Sequence, residues 1–197
     1  MNSEASKIIS EYAQNGVLTS RFLDEHGIHR SVLQELVASG EYYQVKRGIY
    51  VRHDEFEDEF YITQLKYPRG IFSHATALYL YNYSDRVPIS LHMTFPKGYN
   101  CPSLKKENIT VTRVSSENYN LGITEVKTGY GDNTVRAYDL ERSLCDVLRG
   151  KGDDIQIVQA AMKQYAYSRW KDLYKLMEYA KQLKVESKVR RYMEVLL

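Results

Sequence analysis

The sequence is poor in cysteine, with Cys101 and Cys145 as the only two among its 197 residues. They are far apart and have no partner at a metal-ligand spacing, which argues against a disulfide framework and a zinc site. No uncharged stretch approaches the roughly 18 residues of a membrane span. Residues 1–15 also lack the apolar run of a signal peptide. We therefore expect a cytoplasmic protein that needs no metal or other cofactor.

The sequence also has little excess charge of either sign, since its 27 Lys and Arg nearly balance its 25 Asp and Glu and leave a net charge of +2. A balance this small does not indicate nucleic-acid binding, so any basic site must be local. The segment from Lys46 to Arg52 contains three cations and no acid, and residues 54–60 then contain five acids. We take this acidic run as the junction between a domain at 1–53 and a domain at 61–197.

The first domain has the pattern of a winged helix-turn-helix. Apolar residues recur at helical spacing in 4–14 and 29–39, and a short helix at 19–26 ends at the turn around Gly27. Two β-prone runs, 42–45 and 49–52, follow around a glycine. In this arrangement the third helix enters the major groove of double-stranded DNA and the hairpin lies against the backbone.

Arg30 and Gln34 are the strongest candidates for base contacts, because they lie four residues apart and both can form paired hydrogen bonds with purines. Lys46 and Arg47 precede a glycine at the hairpin tip, where cations can reach phosphates. An ordinary solvated surface is the alternative for the same residues. The predicted DNA-binding set is Ser20, Arg21, His29, Arg30, Ser31, Gln34, Lys46 and Arg47.

The second region is predicted to be α+β, so the whole chain is of the α+β class. A helix is expected from Ser73 to residue 81, and strands are expected at 89–95, 109–114, 123–127 and 134–138. Asp139 is suited to cap a helix, and further helices fill 154–197. The turns between the strands predict a mainly antiparallel sheet.

Three motifs carry a resemblance to a known family. Lys46-Arg47-Gly48-Ile49-Tyr50, the stretch 73–78 (SHATAL) and the stretch 141–146 (ERSLCD) resemble the AbiEi-like antitoxins of bacterial abortive-infection systems, a type IV toxin–antitoxin class that gives phage resistance. The resemblance implies an autorepressor whose winged domain binds inverted repeats in its own promoter. It also implies that the second domain counteracts a nucleotidyltransferase-like toxin.

The C-terminal region is strongly basic, with nine Lys and Arg against three acids between residues 163 and 191. Tyrosines lie among these cations, a mixture that suits contact with an acidic protein or with RNA. A solvated face is the alternative. We expect Trp170 and Tyr174 to pack inward. The predicted antitoxin surface is Lys171, Lys175, Lys181, Lys184, Lys188, Arg190 and Arg191.

An enzyme is the competing function class. Glu125 and Lys127 match the acid-x-Lys half of a metal-dependent nuclease site, which also needs a second carboxylate. No aspartate occurs between Asp85 and Asp132 to supply it. We assign His74 and Arg142 structural roles, with Ser73 as a helix cap and Arg142 bound to Asp146 or Glu141. We therefore predict no catalytic or metal-binding residues.

Overall fold

The computed structural model describes residues 3–13, 15–149 and 153–197. Contacts between residues divide the chain into two compact units. The first unit extends to Pro68 and also includes the later segment Lys127–Thr134. The second unit consists of Arg69–Val126 and Val135–Leu197.

The first unit contains the three helices and the hairpin that the N-terminal pattern predicts. It also contains a short strand after Gly16. This strand has only three residues, too few to show the alternation of apolar and polar residues that predicts a strand. Gly16 has a φ of +67°, in the left-handed region that favours glycine. The elements are α1 (Ser3–Tyr12), β1 (Val17–Thr19), α2 (Ser20–Glu25), α3 (Ser31–Ala38), β2 (Tyr42–Lys46), β3 (Ile49–Arg52) and α4 (Glu59–Lys66).

The three strands of this unit form an antiparallel sheet in the order β1-β3-β2. Successive side chains of a strand point to opposite faces. Leu18 and Tyr42 accordingly pack into a core with α1, α2 and α3. Ile49 and Val51 pack with Ile62 of α4 on the other face. The fourth helix is therefore part of the winged fold.

The structure corrects the junction expected at 54–60, because this acidic run is folded into the first unit and the boundary falls after Pro68. Asp58 is 2% exposed and caps α4 through a backbone amide of its first turn. The same carboxylate accepts hydrogen bonds from the hydroxyl of Thr128 at 2.5 Å and the amide of Asn133 at 2.9 Å. These bonds attach the segment 127–134 to the winged unit.

Two further acids of the run are paired with Arg52 at the end of β3. Its Nε lies 2.5 Å from Oδ1 of Asp54, and its Nη2 lies 2.9 Å from Oε1 of Glu55. The hydroxyl of Tyr43 donates to Glu57 at 2.9 Å. The composition of the run indicates a linker, yet its carboxylates accept hydrogen bonds from Arg52 and Tyr43 of the adjacent hairpin.

The second unit begins with a short strand and ends with three helices. Its helices and strands lie close to the predicted positions, apart from three elements that were not expected: the two-residue strand β4, the 3-10 helix and the short helix α6. The elements are β4 (Ile71–Phe72), α5 (His74–Leu80), β5 (Leu91–Pro96), a 3-10 helix (Pro102–Lys106), β6 (Ile109–Val114), α6 (Ser116–Asn120), β7 (Ile123–Lys127), β8 (Thr134–Tyr138), α7 (Leu140–Val147), α8 (Ile155–Tyr167), α9 (Leu173–Gln182) and α10 (Glu186–Leu196).

The sheet of this unit is mixed, which corrects the expectation of a mainly antiparallel sheet. Its strand order is β6-β5-β4-β8-β7. The pair β4–β5 is antiparallel, whereas β5–β6 and β4–β8 are parallel. Parallel neighbours need long crossover connections, and the turns visible in the sequence did not indicate which strands would become neighbours. The α+β class itself is confirmed.

Helix α7 is central to the core of the second unit. Leu144 packs with Met162 of α8 and Leu176 of α9 in one cluster of buried apolar residues. Asp139 caps the helix as predicted, accepting a hydrogen bond from the backbone amide of Arg142 at 2.9 Å. The helices that follow the sheet therefore share one hydrophobic core.

The predicted inward packing of Trp170 and Tyr174 is wrong, since each is 79% exposed. Helix α9 begins only after Trp170, so this residue does not share the helical repeat assumed for it. The buried stripe of α9 instead contains Leu176 and Ala180, four residues apart. Trp170 directly precedes Lys171 in the sequence, and Tyr174 directly precedes Lys175.

Candidate nucleic-acid interface

Helix α3 has one buried and one exposed face. Val32, Leu33 and Leu36 pack into the core of the first unit, while Gln34 is exposed. Arg30 occupies the N-cap position with helical backbone angles, a φ of −64° and a ψ of −15°. It therefore continues the helical path and shares the face of Gln34, as their spacing predicts.

A cleft of about 450 Å³ lies between this face and the hairpin of β2 and β3. The cleft brings together Ser20, Arg30, Gln34 and Arg47, four of the eight residues predicted from the sequence. Its polar lining combines two guanidinium groups with amide and hydroxyl groups. The complete lining is Ser20, Arg30, Leu33, Gln34, Gln44, Arg47, Gly48 and Tyr50.

Gly48 shapes the tip of the hairpin, where its φ of +75° lies in the left-handed region. Its carbonyl accepts a hydrogen bond from the backbone amide of Ser20 at 2.9 Å. A Cβ at position 48 would lie 3.4 Å from the Ser20 hydroxyl oxygen. The tip is therefore attached to the start of α2, and the exposed Lys46 and Arg47 are held beside it.

Two backbone amides at the start of α2 are already engaged within the first unit. The amide of Ser20 is used by Gly48, and the amide of Phe22 donates to the side chain of Thr19 at 3.0 Å. Arg21 binds Glu25 along the helix, with 2.7 Å between Nε and Oε1. Ser20 thus contributes its side chain to the cleft, whereas Arg21 lies outside its lining.

His29 and Ser31 are bound to each other at the start of α3. The Nδ1 atom of His29 lies 2.9 Å from the hydroxyl oxygen of Ser31. Both residues were predicted to contact DNA, but neither lines the cleft. Their pairing orders the turn that precedes α3.

Asp24 was missed at the sequence level, although it binds Arg30, which lines the cleft. Arg30 donates from Nε to Oδ1 of Asp24 at 2.8 Å and from Nη2 to Oδ2 at 2.5 Å. These hydrogen bonds hold the pKa of Asp24 below its usual range. The two residues are six apart across the turn between α2 and α3, so no single helical repeat indicates the pair.

Gln44 and Tyr50 were also missed, and they are direct neighbours across β2 and β3. The alternation of the strand provides a signal for Gln44. Tyr42 packs against the helices, so the side chain two residues later points to the same side of the sheet. Gln44 therefore extends the polar lining of the cleft toward the wing.

Part of the first unit matches the sequence pattern of a known family. Residues 7–53 match the family model of AbiEi antitoxins, described as transcriptional regulators. The match covers most of α1 and continues through the wing, including the basic hairpin tip. The resemblance to AbiEi antitoxins is thereby confirmed over these residues, and transcriptional regulation is the role that the family carries.

Other comparisons extend beyond the AbiEi-type segment. Among solved structures, the chain is similar to the RV2827C protein from Mycobacterium tuberculosis, with 13% identity and a TM-score of 0.47. That alignment covers 98% of this chain and 82% of the other. No curated protein matches the chain. Within the described ranges, no helix combines the length and the apolar character needed to cross a bilayer.

The cations predicted as an antitoxin surface fall into groups around α10. Lys181, Lys184, Arg190 and Arg191 line one cleft of about 580 Å³. Lys188 and Arg191 line a second cleft of about 690 Å³ between α8 and α10. The structure thus gathers five of the seven predicted residues around one helix.

Lys175 does not belong to this exposed group. Its Nζ lies 3.1 Å from Oδ2 of Asp139 and 3.2 Å from Oε2 of Glu141. The cation therefore connects α9 with the start of α7 while its side chain stays 37% exposed, and its place on a partner-facing surface stays a prediction. Lys171 lies outside both clefts.

Arg142 has the structural contacts that its sequence context predicts. Its Nε donates to Oδ2 of Asp146 at 3.0 Å, and the two side chains are 0% and 1% exposed. Its guanidinium carbon lies 4.1 Å from the ring centre of Tyr138. Carbonyls of Asn118 and Leu121 accept from its Nη1 at 2.6 and 3.1 Å. The residue joins α7 to the sheet and to α6.

His74 also contacts the interior of the second unit. Its ring stacks on that of His92 with 3.7 Å between the centroids, and Nδ1 lies 3.0 Å from the hydroxyl of Ser73. Burial lowers the pKa of both histidines to about 3. Ser73 does not cap α5 with its side chain, and its hydroxyl instead accepts from Thr94 at 2.9 Å.

The two residues of the nuclease hypothesis are the exposed ones of β7, whose other residues are partly buried. Glu125 is exposed on β7, and Nζ of Lys127 lies 2.8 Å from Oδ1 of Asp132. In residues 3–13, 15–149 and 153–197, no group of three His, Cys, Asp or Glu side chains is placed to hold a metal ion.

Proposed function

We propose that this protein is a repressor that binds inverted repeats in its own promoter through the cleft between α3 and the wing. The observation that carries the proposal is the shared lining of this cleft by Arg30, Gln34 and Arg47. Arginine and glutamine side chains form the paired hydrogen bonds that distinguish guanine and adenine in the major groove. The family description of residues 7–53 supports the same role.

The geometry favours different tasks for the helix and the wing. Arg30 and Gln34 lie on the exposed face of the helix that would enter the major groove, so they are assigned to base edges. Lys46 and Arg47 are exposed at the hairpin tip and are assigned to phosphates. Base contacts determine sequence preference, whereas phosphate contacts add affinity for any duplex.

Titration of the upstream DNA with variants of the full chain tests this assignment. Arg30→Ala or Gln34→Ala should weaken binding of the promoter by about 1–3 kcal/mol without a similar loss on unrelated DNA. Arg47→Ala should weaken binding of both duplexes and reduce the salt dependence by about one phosphate contact.

Arg21→Ala is the matched control, because it removes one cation of the same unit from outside the cleft. It should change the affinity for either duplex less than Arg47→Ala does. Equal effects of Arg21→Ala and Arg47→Ala would contradict the placement of the interface in the cleft.

We further propose that the second unit counteracts a nucleotidyltransferase-like toxin. The resemblance of residues 73–78 and 141–146 to AbiEi antitoxins supports this role, as does the concentration of Lys184, Arg190 and Arg191 around α10. The test requires the intact chain, since a fragment 61–197 would separate the segment 127–134 from Asp58.

Co-expression with the toxin provides the assay. Arg30→Ala/Arg47→Ala in the full chain should abolish repression and preserve protection. Lys184→Glu/Arg191→Glu should preserve repression and abolish protection, because the introduced carboxylates would repel an acidic partner. Lys105→Glu/Lys106→Glu, which reverses two exposed cations elsewhere in the unit, is the control. Loss of protection only in the Arg30→Ala/Arg47→Ala variant would contradict this division.

A further inference from the structure

The ion pair between Asp24 and Arg30 has a geometry that bears on DNA recognition. It engages Nε and Nη2, which form one edge of the guanidinium group. Nη1 and the second hydrogen of Nη2 lie on the other edge and make no hydrogen bond to a described residue. That free edge carries two parallel donors, the arrangement that binds the O6 and N7 acceptors of guanine.

The pair also fixes the direction in which Arg30 points. A single hydrogen bond would allow the guanidinium to rotate, whereas two parallel bonds determine its plane. The position of Asp24 is in turn fixed by the turn between α2 and α3. There Gly27 has a φ of +66° and the amide of Ile28 donates to the carbonyl of Leu23 at 2.8 Å.

The carboxylate has a second effect, on charge. An unpaired arginine at a DNA surface binds any phosphate, which raises affinity for every duplex equally. A carboxylate beside the guanidinium offsets that attraction and leaves the directional hydrogen bonds available. The expected result is weaker binding to unrelated DNA and a larger difference between specific and unrelated DNA.

We propose that Asp24 is a specificity-determining positioning residue, which orients the free edge of Arg30 toward a guanine in the operator and suppresses its binding to phosphates. The inference rests on the proposed DNA-binding function and names one base class that the site reads. Asp24 acts through Arg30, since its two side-chain oxygens are the ones that hold the guanidinium.

The same helix provides a matched control. Glu25 follows Asp24 directly and pairs with Arg21 through one bond of 2.7 Å between Oε1 and Nε. Both Asp24→Asn and Glu25→Gln remove one negative charge from α2 and release one arginine. Only Asp24→Asn releases an arginine that lines the cleft.

The experiment measures the affinity of the full chain for its upstream DNA and for an unrelated duplex of equal length over a range of salt. Asp24→Asn should strengthen binding to the unrelated duplex and steepen its salt dependence by about one phosphate contact. It should lower the ratio of specific to unrelated affinity by about tenfold, the order of one lost base contact. Glu25→Gln should leave that ratio unchanged.

Two further variants separate positioning from charge and from folding. Asp24→Glu keeps the charge and displaces the guanidinium, so the unrelated affinity should stay at the wild-type level while the ratio falls. Arg30→Ala and Arg30→Ala/Asp24→Asn should have the same ratio, because Asp24 acts through Arg30. Circular dichroism checks that each variant is folded.

The outcomes are distinguishable. A wild-type chain without preference for its upstream DNA would overturn the proposed DNA-binding function together with this inference. A wild-type preference that Asp24→Asn and Asp24→Glu both leave intact would overturn the role of Asp24 alone. A further loss of preference in the double variant relative to Arg30→Ala would show that Asp24 does not act through Arg30.

Discussion

Replacing Asp58 by alanine should strongly destabilise the first unit, because this buried carboxylate joins three parts of the chain. It caps α4 and accepts hydrogen bonds from Thr128 and Asn133, which lie 70 and 75 residues later in the sequence. Alanine would remove the cap and leave both donors in the interior without an acceptor.

The magnitude follows from these three interactions. Loss of an aspartate N-cap costs about 1 kcal/mol of the free energy of unfolding. A hydrogen bond to a charged group contributes at least about 1.5 kcal/mol, and Asp58 accepts two besides the cap. The expected destabilisation by Asp58→Ala is therefore about 4 kcal/mol. Asp58→Asn keeps a side-chain cap and should lose less.

Urea unfolding followed by circular dichroism measures the global effect, and hydrogen exchange of α4 and of residues 127–134 measures the local one. Exchange is needed because two units need not unfold together. Glu57→Ala is the control, since it removes an exposed neighbouring acid and should cost less than about 1 kcal/mol. Equal stability of Asp58→Ala and Glu57→Ala would refute the assignment of 54–60 to the winged unit. The run would then be the junction between domains that its composition predicts.

Three further predictions concern the second unit. Arg142→Ala should lower its free energy of unfolding by about 3–5 kcal/mol in urea titrations, because it leaves the carboxylate of Asp146 buried without its closest partner. Lys175→Ala should lower the free energy of unfolding by about 1 kcal/mol, because Lys175 bridges α9 and α7, whereas the exposed Lys184→Ala should change it very little. The thermal midpoints of the two variants provide the comparison. Stability should fall as the pH drops from 6.5, since His74 and His92 have a folded-state pKa of about 3 and take up protons first in the unfolded chain. Burial raises the pKa of Asp153 to about 6, and this group therefore opposes part of the loss of stability. His92→Gln should make the thermal midpoint depend less steeply on pH between pH 7 and pH 4.5. Equal costs for the two lysines, or a slope unchanged by His92→Gln, would contradict these assignments.

Much of the winged unit could be predicted because its signals are local. The spacing of Arg30 and Gln34, the basic tip at Lys46 and Arg47 and the glycine after it all lie within single elements or one turn. Helical repeat and turn chemistry are sufficient for such features. The cleft itself required the fold, because Gln44 and Ser20 reach it from other elements.

The remaining features depend on contacts between distant residues. The acidic run was misread because the partners of Asp58 come from residues 127–134. The parallel pairing of Phe72 with Ala137 joins strands that are more than sixty residues apart. The spacing of Lys175 showed which helix it is on but not that Asp139 and Glu141 lie opposite.

A footprint of the intact protein on the DNA upstream of its own gene tests the central proposal most directly. We predict protection of two inverted half-sites whose centres are about 10 base pairs, or a multiple of that, apart. Arg30→Ala/Gln34→Ala should lose this protection at protein concentrations where the wild type is saturated. Protection that the double variant retains in full, or a wild-type footprint no different from that on unrelated DNA, would contradict the assignment of the cleft as the site of operator recognition.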